Sequence, residues 1–178
     1  LTDGREQPET AVALAESLKN RRGKIVIDTK VSPAFAGATF GAVGQYETIA
    51  GRVFGELDPH DPRHRIINDI DLAPRNTNGK VEYMATFFLV KPIDMLKASG
   101  LMWQDVPNRG GRITISSELR GLGDVGLSSG WQGDNAGSTA VRPTAAVAQP
   151  HWLKLPVAKG PGGAPITGDV FGRIVNRA

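Results

Sequence analysis

The chain has 178 residues, 40% of them hydrophobic and only 6% aromatic, with a formal net charge of +3 and no cysteine. That length favours one domain with a sizeable core, and the lack of cysteine excludes disulfides and thiolate metal sites. Basic and acidic residues interleave, the cluster Lys19, Arg21, Arg22 and Lys24 is too short for a nucleic-acid footprint, and the apolar runs fall far short of a membrane span, so neither nucleic acid nor membrane is an expected partner.

Twenty-two glycines and 12 prolines predict many turns and short elements, a β-rich chain. Residues 8–23, PETAVALAESLKNRRG, read as a helix with Ala11, Leu14, Ala15 and Leu18 on one face, a basic last turn and Gly23 as its stop. Residues 1–24 thus form an N-terminal helical segment, and 25–178 a β-rich part. There the period changes to two. Strands are expected at 24–31 (KIVIDTKV), at 45–58 with a bulge or bend at Gly51 and Gly55, at 65–72 (RIINDIDL) and at 79–92. In the last, Val81, Tyr83, Ala85, Phe87 and Leu89 share one face and Glu82, Met84, Thr86 and Phe88 the other. Short connections imply an antiparallel meander with one side on a core.

Beyond residue 94, LMWQDV (101–106) reads as an apolar strand that stops at Pro107. RITISSELRGLG is ambiguous, with Ser116 or Ser117 placed to cap a brief turn, and DVGLSS is the next strand. NAGSTAVRPTAAVAQP is a surface excursion, and HWLKLPVAK and ITGDVFGRIV are two strands joined by GPGGAP. The chain opens on Leu1; removal of a signal peptide would account for that, with a secreted or periplasmic location.

Gly126-Leu127-Ser128-Ser129-Gly130 matches G-x-S-x-G, the strand–turn–helix elbow that presents a nucleophilic serine in α/β-hydrolases. Ser128 is a weak nucleophile candidate, because WQGDNAGSTAVRP follows it in place of a helix. Only His151 lies downstream, with Asp134 and Asp169 as the available acids. The expected role of Ser128 is the end of a strand. His60 and His64 stand near Asp58 and Asp61, but two prolines deny that spacing a helical geometry, so no metal site is expected. Glu47, Glu56 and Glu82 lie on strands with no distance between them defined by sequence. Trp103, Trp131 and Trp152 suit core or pocket wall better than a sugar-stacking strip.

Five ordered segments, FGAVGQYETIAGRVFGELDP, NDIDLAPRNTNGKVEY, DVPNRGG, SGWQGD and LPVAKG with PITGDVFGRIV, resemble the N-terminal portion of a family of large α/β-hydrolase-domain proteins of carboxylesterase type. The resemblance runs from about residue 35 to the end of the sequence given. It implies an α/β, β-rich fold: an antiparallel meander leading into the first strands of an α/β-hydrolase sheet, incomplete as a hydrolase domain. It implies that LMWQDV is a central strand and that the loop after it, with Asn108, Arg109, Gly110 and Gly111, offers an oxyanion-hole N–H. Trp131, Gln132 and Asp134 then line the substrate pocket, and the nucleophile, acid and histidine lie downstream. Between the two strands the family has a clear helix, where this chain has only RITISSELRGLGD.

The expected function is thus the N-terminal part of a hydrolase of carboxylic esters, without cofactor, lacking the triad and inactive alone. Its expected partners are a C-terminal hydrolase segment or companion chain and, once complete, a small ester substrate. The rival is a non-enzymatic β-rich binding module for carbohydrate or a protein partner.

Overall fold

A computed structural model of the chain describes residues 23–108, 111–133 and 151–169. The N-terminal helical segment falls almost wholly outside them. The described part is β-rich, with one mixed sheet and one α-helix, Ser117–Leu122. The strands are β1 (Lys24–Val31), β2 (Thr39–Phe40), β3 (Gly44–Leu57), β4 (Val81–Pro92), β5 (Met102–Asp105), β6 (Val125–Ser129) and β7 (Leu153–Lys154). Their order is β1-β3-β4-β6-β5, with β2 paired to β3 and β7 paired to β4.

The chain divides into two compact units. The larger, through Glu56 and again over Glu82–Leu155, holds most of the sheet. β1 pairs antiparallel with β3, and its register slips between Ile27 and Thr29, opposite Gly51 and Ala50. The irregularity expected at Gly51 is therefore in the partner strand. β6 runs antiparallel to β4 and parallel to β5, and the helix Ser117–Leu122 carries the chain between the two parallel strands. Parallel neighbours need such a crossover because the chain must return to the same end of the sheet.

The core lies on one face of the sheet, where Val43, Tyr46, Phe88, Val90 and Ile115 pack together. Each such side chain contributes roughly 1.5–3 kcal/mol by leaving water. Phe40 meets the Tyr46 ring edge-on at 5.4 Å, and the Arg120 guanidinium lies 4.1 Å above Phe35. On β4 it is Met84, Thr86, Phe88 and Val90 that are buried, while the more apolar set Tyr83, Ala85, Phe87 and Leu89 is only half-buried. Ser116 caps the helix by accepting from the Leu119 N–H at 3.2 Å. Gly123 ends it at φ 93°, where an added Cβ would press on the Lys97 carbonyl.

The smaller unit comprises Leu57–Val81 and the segment from Pro156. Residues 65–72, expected as a strand, instead form turns, with 3-10 helices at Pro62–His64 and Ile70–Leu72. Asp69 adopts φ 57°, and backbone bonds such as Ile67 N–H to His64 C=O stay local, so the apolar alternation has no partner strand to serve. Asp58 pairs with Lys80, and the Leu72 carbonyl accepts from Lys159 N–H at 3.2 Å. Of the two strands expected after residue 151, the first is represented by β7 and a single bridge joins Lys159 to Pro165, while most of the second, beyond residue 169, lies outside the described residues.

Candidate functional site

In open sheets, loops at the carboxyl ends of parallel strands form crevices, because the crossover helices lie on the faces and leave those ends free. Here β5 ends into Pro107 and Asn108, and β6 into Gly130, Trp131 and Gln132. The Trp131 indole N–H donates to the Pro107 carbonyl at 2.7 Å and joins the two loops. The Gln132 carbonyl accepts from Leu153 N–H at 3.0 Å, which brings in the segment of His151 and Trp152. Gly130 makes that approach possible: its backbone lies so close to Trp152 that an added Cβ would overlap it.

Beneath these loops lies a buried polar group. The Thr86 hydroxyl stands 3.1 Å from His151 Nδ1 and accepts from Trp152 N–H at 3.0 Å. Burial, then the charge of Arg112, pushes the His151 imidazole down to about 4, so the ring is neutral at physiological pH. Arg112 lies 3.8 Å above the Phe88 ring, and burial lowers its own pKa.

Of the residues singled out in the sequence, Asn108, Gly111, Trp131 and Gln132 belong to this pair of loops. Gly111 N–H points to the Asn108 carbonyl at 3.5 Å, a loose turn. Arg109, Gly110 and Asp134 lie outside the described residues. Ser128 is elsewhere: it sits within β6, fully buried, opposite Phe88 on β4 and Asp105 on β5. Its Oγ accepts from the Ile113 backbone N–H at 2.6 Å. The hydroxyl beside His151 is that of Thr86.

Comparisons with protein-family models, with curated proteins and with solved structures find no match for the chain.

The other candidates resolve into local structure. His64 Nδ1 lies 2.7 Å from the Asp58 carbonyl and His60 Nε2 lies 3.2 Å from Arg75, so the two imidazoles serve different partners. Among the described residues no group of three His, Asp or Glu is placed to hold a metal ion, and no helix is long and apolar enough to cross a membrane. Glu47 is clamped between Lys30 at 2.8 Å and Lys91 at 2.9 Å. Burial raises its pKa, but hydrogen bonds from Lys30, Lys91 and Ser32 outweigh that and leave the carboxyl at about 2, too acidic for a general acid at neutral pH. Thr86 and Arg112 were not legible as site residues. Their only signal was position, one at mid-strand and the other directly after the glycine loop.

Proposed function

We propose that this chain is the N-terminal part of an α/β-hydrolase acting on carboxylic esters, supplying sheet, pocket wall and an oxyanion-side loop but no nucleophile. One observation carries the reading, a contrast between the two edges of the sheet. β1 bears the usual protections of a free edge: a break in register at Ile27/Thr29, and Lys24 and Lys30 along its length. β5, though only four residues long and ending on Asp105, has neither a register break nor a lysine. Its pairing with β6 is regular from Met102 to Asp105, it has no lysine or proline, and Leu101, Met102, Trp103 and Val106 are all exposed. Parallel strands are normally interior, because both their faces need cover. Among the described residues no strand pairs with the outer edge of β5, which fits a strand that a further segment or companion chain continues, as the resemblance implies for LMWQDV. The glycine-containing loop on that strand is where such a sheet offers backbone donors to a developing oxyanion.

The binding-module reading needs exposed tryptophans in one strip. Trp103 and Trp131 are each 48% exposed. They belong to different local structures, however: Trp103 lies in β5 and is tied to Asp124, Trp131 lies in the loop after β6 and is tied to Pro107, and Trp152 is buried. That arrangement favours the hydrolase reading.

The test is p-nitrophenyl acetate turnover by the isolated chain and by the protein purified from its native source. The isolated chain should show no serine-dependent turnover. The native protein should be active and either larger than 18.9 kDa or bound to a companion chain. Turnover by the isolated chain that is lost in Ser128→Ala overturns the proposal, as does an inactive native protein of 18.9 kDa with no companion.

A further inference from the structure

The outer edge of β5 has a defined hydrogen-bonding pattern. The Leu101 carbonyl accepts from the Val125 N–H of β6 at 3.0 Å, and successive residues of a strand turn their N–H and C=O groups to opposite sides. Leu101, Trp103 and Asp105 therefore turn toward β6, while Met102 and Gln104 each direct one donor and one acceptor away from it. Paired residues point to the same side of a sheet. Trp103 thus shares the core side with Gly126, where an added Cβ would strike Ile115, and Met102 and Gln104 lie on the other side with Val125 and Leu127.

We propose that this edge pairs with the β5 edge of a second copy of the chain, antiparallel, about a twofold axis at Trp103. Register and charge select this occupant. An axis at Trp103 sets Met102 opposite Gln104 of the partner subunit, so every outward group within β5 finds a partner. An axis at Met102 or Gln104 would need Gly100 or Val106, both beyond the strand. One at Asp105 would set two carboxylates face to face, whereas the axis at Trp103 puts Asp105 opposite Leu101 of the partner subunit, and no like charges meet. The same axis brings the two Trp103 side chains opposite each other on one face. Side chains so placed stand about 4.5–5.5 Å apart at Cβ, within aromatic contact, and each indole is half-exposed and held in position by Asp124 of its own chain. So short an edge buries less than a permanent interface needs, and the dimer is therefore reversible and set by concentration. This inference does not rest on the hydrolase reading: a segment that continues β5 would displace the second copy, and its test involves no ester.

Sedimentation velocity of the chain over rising concentration is expected to show its mass climbing from 18.9 kDa toward twice that value. Gln104→Pro removes an outward N–H and leaves the bonds to β6 in place, since proline is tolerated where the N–H faces away from the sheet. By symmetry each dimer then loses two hydrogen bonds, and dimerisation should weaken roughly tenfold or more. A chain that stays at 18.9 kDa throughout leaves the edge to a continuing segment and overturns the proposal, as does a dimer indifferent to Gln104→Pro. A second arm tests the register without that variant. The chain has no cysteine, so Met102→Cys chains mixed with isotope-labelled Gln104→Cys chains report directly. Directly opposite positions suit a disulfide, and diagonal ones, about 7–8 Å apart, do not. Mild oxidation should therefore give the mixed cross-link well above its statistical half. A statistical mixture, or no cross-link, overturns the proposal.

Discussion

Trp103 donates its indole N–H to the Asp124 carboxylate at 2.7 Å, and Ser99 donates its hydroxyl to the other oxygen at 2.6 Å. One buried carboxylate thus fixes the lead into β5, the strand itself and the start of β6. The hydrogen bonds from Ser99 and then Trp103 hold that carboxyl below the usual range, against the effect of burial. Asp124→Asn keeps one acceptor oxygen for the Trp103 N–H, but loses the charge and forces the Ser99 hydroxyl from donor to acceptor. It should cost about 1.5–3 kcal/mol, the usual value of hydrogen bonds to a charged group. Urea unfolding monitored by tryptophan emission measures this, and an unchanged midpoint would show that the contacts carry no net stability.

His151 sets a pH window. Its ring is held at about 4 in the folded chain, against 6.5 when unperturbed. Between these values the unfolded chain takes up a proton that the folded chain refuses. Stability is therefore complete above about 6.5, falls as the pH drops toward 4, and levels off below it. His151→Gln should flatten this part of the stability profile. A slope identical to that of the parent chain would assign the effect to another group.

Glu47 acts lower on the scale. Its carboxyl sits at about 2 in the fold and at 4.5 when free, so its contribution is present above 4.5 and is lost as the pH falls toward 2. Glu47→Gln removes the anion between Lys30 and Lys91 and should lower stability at neutral pH by about 1.5–3 kcal/mol. The same variant should lose the acid-induced decline in that lower window while keeping the His151 step. Circular dichroism melts across both windows separate the two groups.

Ser128→Ala deletes the acceptor of the Ile113 N–H and leaves that part-buried donor without its protein acceptor. The expected cost is about 1–2 kcal/mol in stability, with no change in ester turnover by any active assembly that contains the chain. A loss of turnover larger than the loss of folded protein would make Ser128 a reacting group after all.

The strands were legible where period two coincided with a partner strand. β1 falls at the expected 24–31, β3 within one residue of 45–58, and β4 begins two residues inside 79–92. The stretch 65–72 alternates as convincingly but turns, since Asp61 and Asp69 settle the backbone locally. Ser116 was legible as a cap, and the brief turn expected there is a real crossover helix. Which face of β4 would be buried was not legible. The set Val81–Leu89 has the greater hydrophobicity, yet loop 34–43 and residues 113–119 pack over the Phe88 side instead. Among the site residues, the glycine loop and Trp131 announced themselves by composition. Arg112 and Thr86 did not, because their role comes from where β4, β6 and the His151 segment meet.

The unequal edges of the sheet also set its stoichiometry. A sheet open at both sides can add copies without limit and grow into fibres. On the proposed reading this one has a valence of one, because the slipped register and lysines of β1 terminate it and only β5 would be continued by a further strand. A segment that docked at β5 as proposed would complete the particle without propagating it through β1, so assembly should saturate at one added element per chain.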